Sequence, residues 1–92
     1  MAVEVFLVED LKNIQSAMAQ MLEGLGDFRI AAAVSTEAEA LAWLEQNPGT
    51  WDLAVIDLVL EQGSGMGVVS RARRTSPRGR VVVFSNFVTP GI

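Results

Sequence analysis

Four short apolar runs, separated by stretches too long for hairpin turns, constrain the fold of this 92-residue chain more than any other feature. The runs are residues 3–8 (VEVFLV), residues 28–34, residues 51–57 (WDLAVID) and residues 81–85 (VVVFS). Between the first two, Leu11, Ile14, Met18, Met21, Leu22 and Leu25 recur at three- and four-residue steps while Lys12, Gln15, Gln20 and Glu23 fall off that stripe, predicting a helix that Gly24 and Gly26 stop. Thr36 with Glu39 three residues on is a capping-box signature for a second helix, with Ala40, Leu41 and Leu44 inward and Asn47-Pro48-Gly49 as its end. A third helix opens at Ser64 and turns Val68, Val69 and Ala72 inward, before Ser76-Pro77-Arg78-Gly79 returns the chain to the last run. Trp43, Trp51, Phe28 and Phe84 fall where packing accounts for them. The order is βαβαβαβ. Strands joined by helical crossovers are parallel and the crossovers right-handed, so the expected architecture is an open, doubly wound α/β parallel sheet in one domain.

Composition then narrows the chemistry. Half the residues are apolar, enough for one small core. The chain has no Cys and no His, which removes disulfides, thiolate and imidazole metal sites, and the usual nucleophile–base pairs. The opening MAVEVFLVED lacks a basic leader, and no apolar run reaches membrane-spanning length, so a cytoplasmic protein with no membrane contact is expected. All eleven acids lie in residues 1–61, and residues 62–92 hold five Arg and no acid. Arg71, Arg73, Arg74, Arg78 and Arg80 straddle a helix end and a turn with no aromatic interleaved, which reads as a solvated helix terminus and predicts no direct nucleic-acid contact.

One acid stands apart. Asp57 closes the most apolar run, Leu53-Ala54-Val55-Ile56, and so falls at the carboxyl end of a strand, the edge where open α/β sheets bind ligands. A strand-end Asp can also do no more than solvate a turn. With strand order 2-1-3-4, a flavodoxin-like arrangement, Glu9 and Asp10 at the end of the first strand face Asp57 at the end of the third. Carboxylates about 4 Å apart repel by roughly 4 kcal/mol at an effective dielectric near 20, so such a cluster calls for a cation or raised pKa values. Oxygen ligands alone favour the hard divalent Mg2+. A carboxylate so placed is a nucleophile suited to a phosphoryl group.

In order and spacing, these residues resemble the receiver domain of two-component response regulators. Glu9 and Asp10 in VFLVED resemble the family's metal-binding pair, Asp57 in VIDLVL its phosphoacceptor aspartate, and Ser85 in VVVFSN the hydroxyl that hydrogen-bonds the phosphoryl group. LEQGSGMGVV resembles the loop that opens the third helix. The resemblance implies a phosphorelay signalling domain rather than an enzyme. Its phosphoryl donor would be a sensor histidine kinase or a phosphotransfer protein, and Mg2+ would be held by Glu9, Asp10, Asp57 and the backbone carbonyl of Val59. It also implies that Val59 and Phe87 tune attack by water; as an apolar pair they predict a long-lived phosphoryl group.

Two departures accompany the resemblance. No Pro follows Asp57 in the loop, and the family's fifth-strand Lys has no counterpart, Lys12 being the only lysine. Thr89-Pro90 is a helix-start signal with only Gly91 and Ile92 after it, so residues 1–92 are expected to be a receiver domain incomplete at its C-terminus, without the fourth helix, fifth strand and fifth helix. An open fourth-strand edge and a half-covered first helix then predict a homodimer, a swapped dimer or another partner chain.

Two other classes compete. Gly63-x-Gly65-x-Gly67 after a strand suggests a dinucleotide-binding domain, but the fingerprint needs a Gly where Val68 stands, and no acid follows Glu61. A phosphate-independent interaction module, a pseudo-receiver, would keep the fold without the switch.

Overall fold

The computed structural model describes residues 1–85, and its elements follow in the order β1 (Val3–Val8), α1 (Lys12–Leu25), β2 (Phe28–Val34), α2 (Glu37–Gln46), β3 (Leu53–Asp57), α3 (Gly65–Thr75) and β4 (Arg80–Phe84). The four strands form one all-parallel sheet in the order β2-β1-β3-β4, the order expected from the sequence. The helix-start signal at Thr89-Pro90 and the position Phe87 lie outside the described residues.

Period-two alternation along β1 and β3 divides the interior into two layers. Phe6 and Val8 of β1 and Ala54 and Ile56 of β3 face the layer closed by α2 and α3, where Ala40, Leu44, Val68 and Ala72 are fully buried with them. Trp43 stacks on Phe6 in this layer, ring centroids 4.4 Å apart and planes 12° from parallel. Val5, Leu7 and Val55 point the other way and meet Met18, Ala19 and Leu22 of α1. That second layer is thinner. No residue of α1 is fully buried, and Leu11, Met21 and Leu25 are exposed.

Local chemistry sets the element boundaries. Thr36 caps α2, its Oγ1 accepting from Glu39 N at 3.1 Å, while the Glu39 carboxylate accepts from Ser35 N at 3.2 Å, one residue earlier than the simplest capping box. Ser64 caps α3 by accepting from Met66 N at 3.1 Å. Gly24 lies inside α1 rather than at its end, which comes at Leu25 before Gly26. The third strand starts at Leu53, two residues later than the apolar run suggests. Trp51 is nonetheless buried, packed against Gly79, where any side chain would strike its ring, and the Asp52 side chain accepts from Glu4 N at 2.8 Å. The turn into β4 is closed by Gly79 N donating to Ser76 O at 3.0 Å.

Candidate functional site

Register alone brings the acids together. Val8 pairs with Ile56, so the residues that follow, Glu9 and Asp57, leave the sheet side by side at its carboxyl edge. Each of Glu9, Asp10 and Asp57 offers a carboxylate oxygen, and the three oxygens lie within 4.8 Å of one another. Glu9 and Asp57 are buried and Asp10 is half-buried, so the cluster forms a pocket floor and not a solvated fringe. Asp57 also pairs with Phe84 in β4, and Leu58 N donates to Phe84 O at 2.8 Å, which puts Ser85 at the same edge, one residue past Phe84 and exposed to solvent.

The backbone around the cluster is held from several sides. Glu9 N donates to Val34 O at 3.1 Å, and the Gln15 side-chain amide donates at 3.0 Å to both Glu9 O and Val34 O, joining the ends of β1 and β2. Leu11 N donates to Glu9 Oε2 at 3.3 Å and Glu61 N to Asp10 Oδ2 at 2.9 Å, so each acid of the pair also caps a neighbouring loop. Val59 N donates to Asp57 Oδ1 at 3.0 Å in an Asx-type turn. Immediately behind, Gly65 lies so close to the backbone of Asp57 and Leu58 that a side chain there would collide with it.

Electrostatics follow from this crowding. Burial, reinforced by hydrogen bonds to Asp10 and Asp57 and by the Asp57 charge, pushes the Glu9 carboxyl up to about 7. Burial acts on Asp10 in the same direction, but the hydrogen bond from Glu9 and those from backbone amides, Glu61 N among them, hold it below the usual carboxylate range. One proton shared between Glu9 and Asp10 is the pocket's own answer to three crowded acids. A divalent cation is the other, and an all-oxygen, partly desolvated donor set of this kind fits Mg2+ or Ca2+ and not a thiophilic metal.

Two residues that brace the backbone around the site were not legible in the sequence as such. Gln15 was placed only as a residue off the α1 stripe. Glu37 had no role, yet its carboxylate lies against Gly63 and Gly67 and accepts from Ser64 N at 2.7 Å. The Gly63-x-Gly65-x-Gly67 spacing suggested a dinucleotide-binding loop; in the structure Gly63 and Gly67 admit the Glu37 side chain of α2, and Gly65 admits the backbone of Asp57 and Leu58. Val59 is where the sequence put it, in the loop after Asp57, and its side chain is exposed.

An open parallel sheet ordered 2-1-3-4 with an acidic pocket at its carboxyl edge defines a flavodoxin-like signalling fold, and the family model of the response regulator receiver domain matches residues 5–90. The chain belongs to that family, whose members are two-component phosphorelay signalling domains. Among solved structures it is similar to the MaeR response regulator bound to beryllium trifluoride (24% identity, 95% of this chain and 70% of that one, TM-score 0.78). It is also similar to a CheY-like receiver domain protein from Methanospirillum hungatei (20% identity, 98% and 69%, TM-score 0.82). A third is a response regulator from Burkholderia pseudomallei with a phosphorylated aspartic acid and a calcium ion (18% identity, 96% and 49%, TM-score 0.80), of whose length this chain spans about half. At these identities the likenesses show the fold. No curated protein sequence matches the chain. Among the described residues no helix is long and apolar enough to cross a membrane.

Proposed function

We propose that Asp57 accepts a phosphoryl group from the phosphohistidine of a sensor histidine kinase or phosphotransfer protein, in a cytoplasmic phosphorelay. The observation that carries this reading is the convergence of three carboxylate oxygens within 4.8 Å at the carboxyl edge of β1 and β3. A phosphorylated aspartic acid and a cation in the Burkholderia pseudomallei relative support it by analogy. An Asp57 carboxylate oxygen attacks phosphorus in line, the O–P bond forms as the P–N bond to imidazole breaks, and the electron pair leaves with the imidazole nitrogen. Glu9, Asp10, Asp57 and the Val59 carbonyl are the residues that would hold Mg2+. Bound there, the ion would neutralise charge on the transferring oxygens. Ser85, at the end of β4, hydrogen-bonds a phosphoryl oxygen.

The domain catalyses nothing beyond its own phosphorylation and dephosphorylation. The chain spans 70%, 69% and 49% of the lengths of the three structures named above. The test is labelling by a small phosphodonor with and without Mg2+. Wild type is expected to be labelled only with Mg2+, and Asp57→Asn not at all. Labelling of Asp57→Asn at the wild-type rate sinks the assignment, and an unlabelled, folded wild type points to the phosphate-independent module. Val59→Asn is expected to hasten loss of the phosphoryl group by giving water a polar partner at the exposed rim.

A further inference from the structure

The loop after Asp57 carries the Val59 carbonyl and lacks a rigidifying Pro, yet it is tightly specified, and the specification comes from a different element. Glu37 opens α2. Its backbone N donates to Gln62 O at 3.1 Å, and its carboxylate accepts from Ser64 N at 2.7 Å. This second bond is charge-assisted and falls at the N-cap of α3, where a negative charge is favoured. The carboxylate fits because Gly63, at φ 97°, and Gly67 both lack side chains, since a methyl at either would strike it. Ser64 in turn forms an antiparallel bridge with Val59 across the loop, and Gly65 N donates to Leu58 O at 3.1 Å. The hydrogen bonds from α2 to Ser64 and from Gly65 to Leu58 thus hold the strip that lies opposite Val59, the residue whose carbonyl is assigned to the metal.

We propose that Glu37 is a positioning residue for the metal site: by clamping Gln62 and Ser64 it sets the place of the Val59 carbonyl, and so the affinity of the pocket for Mg2+. This rests on the reading of the site given above. Removing a group that orients a ligand typically costs about 10- to 100-fold in metal affinity. Glu37 lies outside the cluster of Glu9, Asp10 and Asp57 and bonds to the loop backbone, so its loss should raise the Mg2+ concentration needed for half-maximal labelling while the rate at saturating Mg2+ stays within about twofold of wild type.

The experiment uses the full chain, with Mg2+ titrations by calorimetry and amide hydrogen exchange of the metal-free protein. Glu37→Ala is expected to lose protection at Ser64 N and to bind Mg2+ about tenfold more weakly. Glu37→Gln keeps an acceptor oxygen and should restore most of both. Gly67→Ala supplies the control for folding: alanine is the better helix former, so a merely structural role predicts no loss, whereas displacement of the carboxylate predicts weakened Mg2+ binding with an unchanged or higher melting temperature. Wild-type affinity in Glu37→Ala and Gly67→Ala overturns the proposal, as does a Glu37→Gln protein as impaired as Glu37→Ala. A wild-type chain that takes up no Mg2+ overturns the reading of the site itself, and the exchange data then report separately whether the clamp exists.

Discussion

Glu9 carries the pH dependence of this pocket. Its carboxyl protonates near 4.5 in an unfolded chain and at about 7 in the folded one, so between these values the folded state holds more protons. Stability contributed by this group is therefore full below about pH 4.5 and declines as pH rises through 7. Asp10, shifted downward, has the opposite sign: its contribution is present above its ordinary value and is lost as pH falls below it, so it acts in a more acidic window. Metal-free protein should accordingly melt at lower temperature at pH 8 than at pH 5, and Mg2+ should erase the difference. Glu9→Gln should flatten the slope and raise the melting temperature at pH 8 while weakening Mg2+ binding. A wild-type melting temperature that rises across this range would count against the assignment. That Glu9, Asp10 and Asp57 would meet was readable from the strand ends only once the strand order 2-1-3-4 was assumed. How they divide one proton was not, because it depends on burial and on the amides of Leu11 and Glu61.

Among the elements, the loop from β3 into α3 shows the most that is decided by close approach. Gly65 begins α3 against the backbone of Asp57 and Leu58, so Gly65→Ala must push the helix away from the strand that presents Asp57. Overpacking of this kind costs about 1–3 kcal/mol. Thermal melts should show that loss, and labelling should slow with it, while an exposed helical change such as Arg74→Ala should leave both near wild type. The helices themselves were legible from their periodicity and caps, since Thr36 and Ser64 act through bonds to residues two or three positions away. Strand ends were less so. Trp51 and Asp52 read as strand because they are apolar or adjoin apolar residues, but Trp51 is buried by Gly79 and the Asp52 side chain is bonded to Glu4 N, contacts that no local pattern announces.

The molecule as a whole is unevenly covered. The layer under α2 and α3 is closed, while the layer under α1 has only Val5, Leu7 and Val55 buried among the described residues. On β4, Val82 is 51% and Val83 is 45% exposed, on opposite faces of the outermost described strand. Burying a valine side chain contributes about 1.5–3 kcal/mol, so a second copy paired along this strand would gain appreciably from these two residues alone. For residues 1–92 by themselves, pairing of two copies along this edge is the expected outcome. Its signature is a melting temperature that rises with protein concentration, together with a sedimentation coefficient above that of a monomer. Val83→Lys should abolish the concentration dependence, and a concentration-independent melt of a monomeric wild type would rule the dimer out.

The alternation of β-branched runs with amphipathic stretches was enough to establish a parallel α/β sheet, and the acids at two run ends were enough to point to its candidate site. Both follow from short-range facts: period, capping chemistry, and the geometric need for a crossover between parallel strands. Only the folded chain decided the rest. Strand register brought Glu9 level with Asp57, burial raised the Glu9 pKa, and Gly63 and Gly67 became the seat of a carboxylate from α2. Each of these depends on groups distant in sequence meeting in a desolvated space, where a hydrogen bond or a charge carries a weight it lacks along an extended chain.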